Sequence, residues 1–553
     1  MCGIFGGYKS LLHAPSSGIL SHRGPDQDGG SVHKLNNGAQ FLMWTTRLKI
    51  VDSKDIDFPI SRLGHVISFN GEIYNWLEIR RNLECLGHKF FTHTDIEVAL
   101  LAYLEWGPAC LEMFNGMFAF AVFDGNELFL ARDRFGKKPL FLFNNGTEFA
   151  FASELKAFKN LQLNESPSLK GSFPWDEDQS LFKNITSVKP GEYRLIDVNH
   201  IDERSTRWYS FPQYSGDIDN TDLAIDTFLE IFSDACAIRK IADAPVTLFL
   251  SGGVDSVLIQ SMVHAETTYT CQFEEFLNTI NEVELVKGLA KKINFDARII
   301  SPTKSDLEQC ISNLGWHSEF ALGTSIFPSF CLSREARKDG FKVAFSGEGA
   351  DELFNGCVRN EVLLEERDRI DGYEDGPYRE MTSKYFSNDI DRAVKLAMWH
   401  TPDMYDEVRE KFESVWDNRA PLAHNLSVVE TTFFLPEKLM SADRMSMANS
   451  LEVRNPFLDY RVVDFSCRLM PAIRRNSKQG KSIIRAALQK VLGDAANAVL
   501  QRTVKHGMPA PINRWFFDND GFSRENWKSW IEEEISSSFC SHADDSSLLE
   551  SVL

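Results

Sequence analysis

Apolar and polar positions change rhythm part-way along the chain. Up to about residue 200, short apolar runs recur at 40–44, 65–69, 117–123, 128–131, 140–143 and 149–152. Gly, Asn and Asp sit between them, which predicts strands joined by turns. Stacked antiparallel sheets with a few helices, such as 96–106, follow from this pattern. From about Thr221 the period lengthens. Helical stretches at 222–241, 257–265 and 282–293 interleave with brief β runs at 246–250, 269–273, 298–300 and 343–345, and such alternation implies a parallel α/β sheet. After Asp351 the pattern is almost wholly helical. A polar segment rich in Pro, Tyr and Asp, 197–220, separates two domains placed at 1–205 and 215–553. The acidic, Ser-rich tail from Glu532 is expected to be mobile, and no internal repeat is visible.

Length supports the division, since 553 residues exceed one core. Composition is that of an ordinary soluble protein, with 43% hydrophobic and 25% charged residues. Lys and Arg number 59 against 79 Asp and Glu, a net charge of -20. So acidic a chain is a poor general binder of nucleic acid, although one local site for a nucleotide is compatible with it. No run approaches the ~20 apolar residues of a membrane span. The N-terminus lacks a basic n-region and does not read as a signal peptide. Ten cysteines are scattered without a CxxC, so unpaired thiols in a cytoplasmic setting are expected.

Cys2 directly follows the initiator Met. Removal of Met1 would place an α-amine, with a reference pKa of ~7.7–8.0, beside the thiol, so one residue would supply nucleophile and base. If Met1 is retained, that mechanism fails. A single Cys is more often a buried structural residue, but other residues accompany this one. Arg47 lies in Arg-Leu-Lys-Ile-Val-Asp, Asn70, Gly71 and Glu72 in Phe-Asn-Gly-Glu-Ile-Tyr-Asn, and Asp95 in Thr-Asp-Ile-Glu. Singly these are turn or solvated residues. Together they are what a thiol-dependent glutaminase needs: an Arg fork for a carboxylate, an Asp for an α-ammonium, and an Asn side chain and Gly N–H for a tetrahedral oxyanion.

The stretches Met-Cys-Gly-Ile-Phe-Gly, Ser-His-Arg-Gly-Pro-Asp (21–26), Phe-Asn-Gly-Glu-Ile-Tyr-Asn, Gly-Met-Phe-Ala-Phe-Ala (116–121) and Phe-Ala-Ser-Glu-Leu-Lys-Ala (151–157) resemble the class II, N-terminal-nucleophile glutamine amidotransferases. They most closely resemble those of the glutamine-hydrolysing asparagine synthetases. The resemblance implies an αββα N-terminal domain, Cys2 as nucleophile, Asn70 and Gly71 as catalytic donors, and a glutamine site of Arg47, Asn70, Gly71, Glu72 and Asp95.

A second constellation begins at 246–256, where a β run enters Ser-Gly-Gly-Val-Asp-Ser and a helix follows. Glycines let backbone N–H groups approach phosphate, and the helix N-terminus adds partial positive charge. The loop lacks the GxxxxGK[ST] pattern of Walker-type enzymes. It resembles the loop of ATP pyrophosphatases, in which Ser251, Gly252, Gly253 and Ser256 would cradle pyrophosphate and Asp255 would hold Mg²⁺. The next β run ends in Ser-Gly-Glu-Gly-Ala-Asp-Glu (346–352). Parallel sheets bind ligands at the carboxyl ends of their strands, so both acidic loops should share one rim. Asp351 is then a second Mg²⁺ ligand and Glu348 a base toward ammonia. The stretches 439–459 and Lys-Gln-Gly-Lys-Ser-Ile-Ile-Arg-Ala-Ala-Leu (478–488) resemble the synthetase domain of the same family. By that resemblance Lys481 contacts phosphates, and Leu250, Gln272, Ser346 and Gly347 join the ATP site.

The family reaction would use glutamine, ATP and Mg²⁺ to turn a carboxylate into an amide through an acyl-adenylate, with AMP and pyrophosphate released. An apolar tunnel would carry ammonia between sites. The partners expected are these small molecules, with no nucleic acid and no membrane; a homodimer is open. Aspartate is the leading acceptor. Typical asparagine synthetases, however, carry an Arg where a gap-free alignment from Ser346 places Thr324 in 321–330, and the His-His-Glu-like stretch is absent from 293–300. Other carboxylates, of cell-envelope or secondary metabolism, therefore stand as the alternative. A β-lactam synthetase-like cyclase would have lost Cys2, a non-catalytic homologue would have lost site residues, and an ATP-independent amidotransferase would lack 251–256.

Overall fold

The structure, a computed structural model, describes residues 2–8, 18–52, 54–158, 184–276, 282–320, 322–365, 388–397, 404–475, 480–502, 510–516, 527 and 530–535. The N-terminal part holds two six-stranded sheets. The first runs Ile185–Ser187, Phe141–Asn144, Phe149–Ala152, Cys2–Tyr8, Gln40–Arg47, Gln27–Lys34, antiparallel throughout. The second runs Asp202–Arg207, Glu192–Asp197, Glu127–Arg132, Gly116–Phe123, His65–Ile73, Ile60–Arg62, also antiparallel.

Strand alternation sorts their side chains into layers. Ile4, Phe41, Met43, Ala121, Leu130 and Phe151 fill the space between the sheets. On the far face of the second sheet, Phe69, Phe118, Phe120 and Phe129 pack under Ile79, Leu83 and Leu100 of the helices Trp76–Cys85 and Asp95–Trp106. The far face of the first sheet is covered from the C-terminal part. There Phe5, Leu42, Phe141 and Phe143 meet Leu307, Ile311, Leu314, Phe327 and Phe330, which lie on the helices Lys304–Ser318 and Ile326–Lys338. Among the described residues, the outer helical layer on this side thus comes from the other half of the chain.

The C-terminal part is built on a parallel sheet ordered Asp296–Ile300, Thr267–Cys271, Val246–Phe249, Val343–Phe345, Glu452–Arg454. Phe228, Phe232, Val257, Leu258, Phe345, Phe354 and Phe457 form its core with the flanking helices. The fifth strand interrupts a region after Asp351 that is otherwise helical among the described residues, as the pattern of almost wholly helical periodicity implies. At three residues it is too short to give a period. Two other differences have the same physical origin. Asp202–Arg207 lies inside the segment read as a linker, because a polar edge strand carries no apolar run. Gln27–Lys34 alternates between half-buried and exposed positions and was likewise silent. Part of the tail expected to be mobile, 532–535, is helical, with Ile535 buried; its remainder, 536–553, lies outside the described residues. No helix of the described residues is long and apolar enough to cross a membrane.

Buried charges join the halves. Arg23 reaches Glu154 at 2.6 Å and Asp443 at 2.9 Å, Lys138 reaches Asp443 at 2.9 Å, and Arg444 reaches Glu319 at 2.7 Å and Glu154 at 3.0 Å. Glu319 also accepts from the backbone N–H groups of Leu155 and Lys156, both at 2.8 Å. His22 and His317 adjoin Glu154. Because Glu154 already faces Arg23, Lys156 and Arg444, this cluster is a charge network rather than a cation site.

Candidate active sites

Cys2 and Arg47 are direct partners in the antiparallel pairing of their strands. Asn70, Gly71 and Glu72 lie on the edge-facing end of His65–Ile73 in the second sheet, so the two layers bring the motifs together. The Cys2 N–H donates to Asn70 Oδ1 at 3.4 Å, and Asn70 Nδ2 donates to Ser153 Oγ at 3.4 Å. Arg47 donates to the carbonyls of Val51, Asp52 and Lys54 at 2.7–2.9 Å, which fixes its fork. Gly71 sits at φ 153°, where a Cβ would lie 2.1 Å from the carbonyl oxygen of Met117, so only glycine fits. Asp95 begins its helix beneath the Thr94 cap and accepts from Ile73 N–H at 3.0 Å.

All five side chains expected here are buried, between 0% and 5% exposed for Cys2, Arg47, Asn70, Glu72 and Asp95. Burial pushes the Cys2 thiol up. It also lifts Asp95 to about 6 and, with the charge of Asp95 nearby, Glu72 well above the usual carboxylate range. Two carboxylates so placed favour a cation between them.

At the other site, Val246–Phe249 leads through Leu250 and Ser251–Gly253 into the helix Val254–Val263. Gly252 makes the turn at φ 68°. Ser256 Oγ accepts from Ser251 N–H at 3.2 Å, and Ser251 Oγ accepts from Gly253 N–H at 3.4 Å, which closes the loop on itself. The loop opens on a cavity of about 380 Å³ at the carboxyl ends of the strands. Leu250, Ser251, Gly253, Asp255, Ser256, Ser346, Gly347, Glu348, Asp351 and Lys481 line it.

Lys481 is the centre of this arrangement. Its Nζ lies 2.5 Å from Asp255 and 2.6 Å from Asp351. Burial alone would lower its pKa, yet Asp255 and Asp351 together hold it above its ordinary range. The backbone of Lys481 is left-handed at φ 61°, just before the helix Ser482–Leu492. Its N–H donates to Phe354 O at 2.9 Å, which sets it against the chain that follows the 346–352 loop. Burial raises the Glu348 carboxyl while a Ser346 hydrogen bond lowers it, with a net rise.

Gln272 is buried, and its Nε2 donates to Phe273 O at 2.9 Å; its neighbour Cys271 is the residue of this strand end that lines the cavity. Thr324 does not line it either, although Ser329 of the same segment does; residue 321 lies outside the described residues. The cavity also holds groups the sequence did not single out: Lys438, Glu352, Arg485, Arg502 and Glu282. Lys438 pairs with Glu352, and Arg502 with Glu282 at 3.1 Å. Lys438, Arg502 and Glu282 stand outside the 246–256, 346–352 and 478–488 stretches, and a single charged residue carries no signal of this kind in sequence.

The comparisons with known proteins agree with the two-part geometry. The asparagine synthase family profile matches residues 227–550. The chain belongs to the asparagine synthase family. The glutamine amidotransferase domain profile matches 1–209, so the protein is an asparagine synthase-type ligase with a glutamine amidotransferase part. Among its relatives, Asparagine synthetase (glutamine-hydrolyzing) 1 of Bacillus subtilis is 28% identical over 94% of this chain and 86% of that protein. Asparagine synthetase (glutamine-hydrolyzing) 3 of the same organism is 28% identical over 89% and 85%. Amidase chry2 of Gibberella zeae is 25% identical over 86% and 82%.

Proposed function

We propose that the chain hydrolyses glutamine at Cys2 and uses the ammonia to amidate a carboxylate activated by ATP, with AMP and pyrophosphate released and aspartate as the acceptor. Residues 1–205 form the glutaminase and 215–553 the synthetase. The observation that carries this reading is the convergence of Asp255, Asp351 and Lys481 on one point beside the Ser251–Ser256 loop, in a cavity that also contains Glu348.

At the first site, the α-amine of a processed Cys2 takes the thiol proton as sulfur attacks the glutamine side-chain carbonyl. Asn70 Nδ2 and the Gly71 N–H stabilise the oxyanion. Arg47 holds the substrate carboxylate, and Asp95 and Glu72 its ammonium. Leu48, Ile50, Tyr74 and Met117 of the first half form one apolar cluster with Val343 and Met447 of the second, so the two halves meet through an apolar contact.

At the second site, the donor set fits Mg²⁺, because two carboxylates from different strand ends already share one cation. Bound there by Asp255 and Asp351, the ion would neutralise phosphate charge. Lys481 stabilises the charge that develops as pyrophosphate leaves, and the N–H groups of the Ser251–Ser256 loop hold the departing group. Glu348 accepts the proton from attacking ammonia, a role that its raised pKa suits.

Purified protein incubated with glutamine and Mg-ATP, with and without aspartate, tests the proposal by mass spectrometry. Aspartate-dependent asparagine and AMP in equal amounts are expected. Glutamate without asparagine would remove aspartate and turn attention to other carboxylates. That second reading is favoured by Thr324, which stands where an Arg is expected.

A further inference from the structure

The strand Glu452–Arg454 stands between the two sites and presents alternate residues to each. Val453 lines the nucleotide cavity. Glu452 and Arg454, two apart and so on the other face, turn toward the glutaminase half. Arg454 is fully buried. Its Nε donates to Glu452 Oε1 at 2.6 Å, and one Nη donates to the carbonyls of Arg239 and Ile241 at 2.6 and 2.8 Å. The other Nη lies 3.5 Å from Glu72 Oε2, and the guanidinium lies 5.4 Å from the centre of the Tyr74 ring.

The contact with Glu72 is loose where the others are tight. Glu72 Oε1, the Tyr74 hydroxyl and Arg454 Nη2 are buried without a hydrogen-bond partner among the described residues. Buried polar groups left in this state cost free energy, and a ligand that satisfies or fixes them recovers it. The opposite end of the connection is equally direct. Arg454 O accepts from Ser346 N–H at 3.0 Å, and the next residue, Asn455, donates from Nδ2 to Glu348 Oε2 at 2.6 Å. One residue thus touches a carboxylate of the glutamine site with its side chain and the Ser346–Glu348 loop with its backbone.

We propose that Arg454 is a positioning residue that couples the two sites, so that glutamine and Mg-ATP each bind more tightly in the presence of the other. The inference rests on the functional reading above. Glutamine ammonium arriving at Glu72 fixes the loose Glu72–Arg454 pair. Phosphate arriving at the Ser346 loop fixes the same strand from the other side. Whichever ligand binds second finds the strand already ordered, which is cooperativity without a large structural change. Linkage makes the effect reciprocal.

The test uses the full chain with Cys2→Ala, which leaves glutamine uncleaved. Glutamine is titrated calorimetrically with and without Mg-ATP, and Mg-ATP with and without glutamine. The expected result is an affinity gain of about five-fold or more, equal in both directions. In the same background, Arg454→Met should bring the gain to unity, and Arg454→Lys, which keeps the cation, should restore part of it. Glu452→Gln preserves shape but slackens the hold on Arg454, so it should shrink the gain even where Arg454→Met does not fold. A merely structural Arg454 would lower both affinities and leave their ratio intact, which would overturn the proposal. Glutamine binding that ignores Mg-ATP would overturn the coupling while leaving the glutaminase reading in place. Absence of glutamine binding under every condition would overturn that reading and the inference with it.

Discussion

Around Cys2 the candidate side chains are buried and held by backbone groups of two interlocked sheets. Around Lys481 they line an open cavity and are held by each other's charges. The difference follows the ligands proposed for each site. Glutamine is a zwitterion of no net charge, and a rigid pocket with matched Arg and Asp groups can receive it without rearrangement. ATP and its metal bring large charges, so a site for them must hold compensating groups in balance before they arrive. A lysine shared by two aspartates does this, and it would yield the carboxylate pair to a cation if phosphate took the ammonium. Preformed geometry suits the first reaction and exchangeable charge the second.

Substitutions should separate the two plans. The largest effect is expected from Cys2→Ala. Glutamine-dependent product formation should fall by about three orders of magnitude or more, while ammonium salts still support the synthetase reaction; loss of both activities would mean that the sites are not separable. Lys481→Ala should come next, with AMP formation lowered by about 10²–10³-fold and glutamate release in the absence of ATP little changed. Steady-state assays of the two half-reactions would show it. Asp443→Asn acts on the junction rather than on either site. It leaves Arg23 and Lys138 buried with less countercharge, and breaking such a pair costs about 3–5 kcal/mol, which denaturant unfolding would register.

The smallest effect concerns pH. Asp95, lifted to about 6, must be ionised to hold an ammonium. The KM for glutamine should therefore rise as pH falls through 6, by at most about ten-fold per unit, and stay flat above 7. Nucleotide binding should not share this profile. A KM that is unaffected between pH 5 and 7 would remove Asp95 from the glutamine site.

Much of this arrangement was legible in the sequence. Glycine turns and apolar runs located most strands, because buried strands write their period directly. The Ser251–Ser256 and Ser346–Glu352 loops were visible because glycine and acid at a strand end form a compact pattern, and both loops do line one cavity. Polar edge strands such as Gln27–Lys34 and Asp202–Arg207 left no such mark. At the end of the strand Thr267–Cys271 it is Cys271 and not Gln272 that lines the cavity, because one residue at a strand end decides which face a side chain takes. The contact of Arg454 with Glu72, and the charges around Glu154 and Asp443, join residues hundreds of positions apart. Such pairings depend on how two halves dock, which no local pattern records.

Isotope competition decides whether the two sites form one reaction path. The wild-type protein is given glutamine labelled with ¹⁵N in its side-chain amide, Mg-ATP, the acceptor and an excess of unlabelled ammonium. If ammonia passes internally from Cys2 to the cavity beside Glu348, the amide product carries ¹⁵N nearly undiluted. Product label diluted to the level of the bulk ammonium would instead show two half-reactions that share only the solvent, and internal transfer would be ruled out.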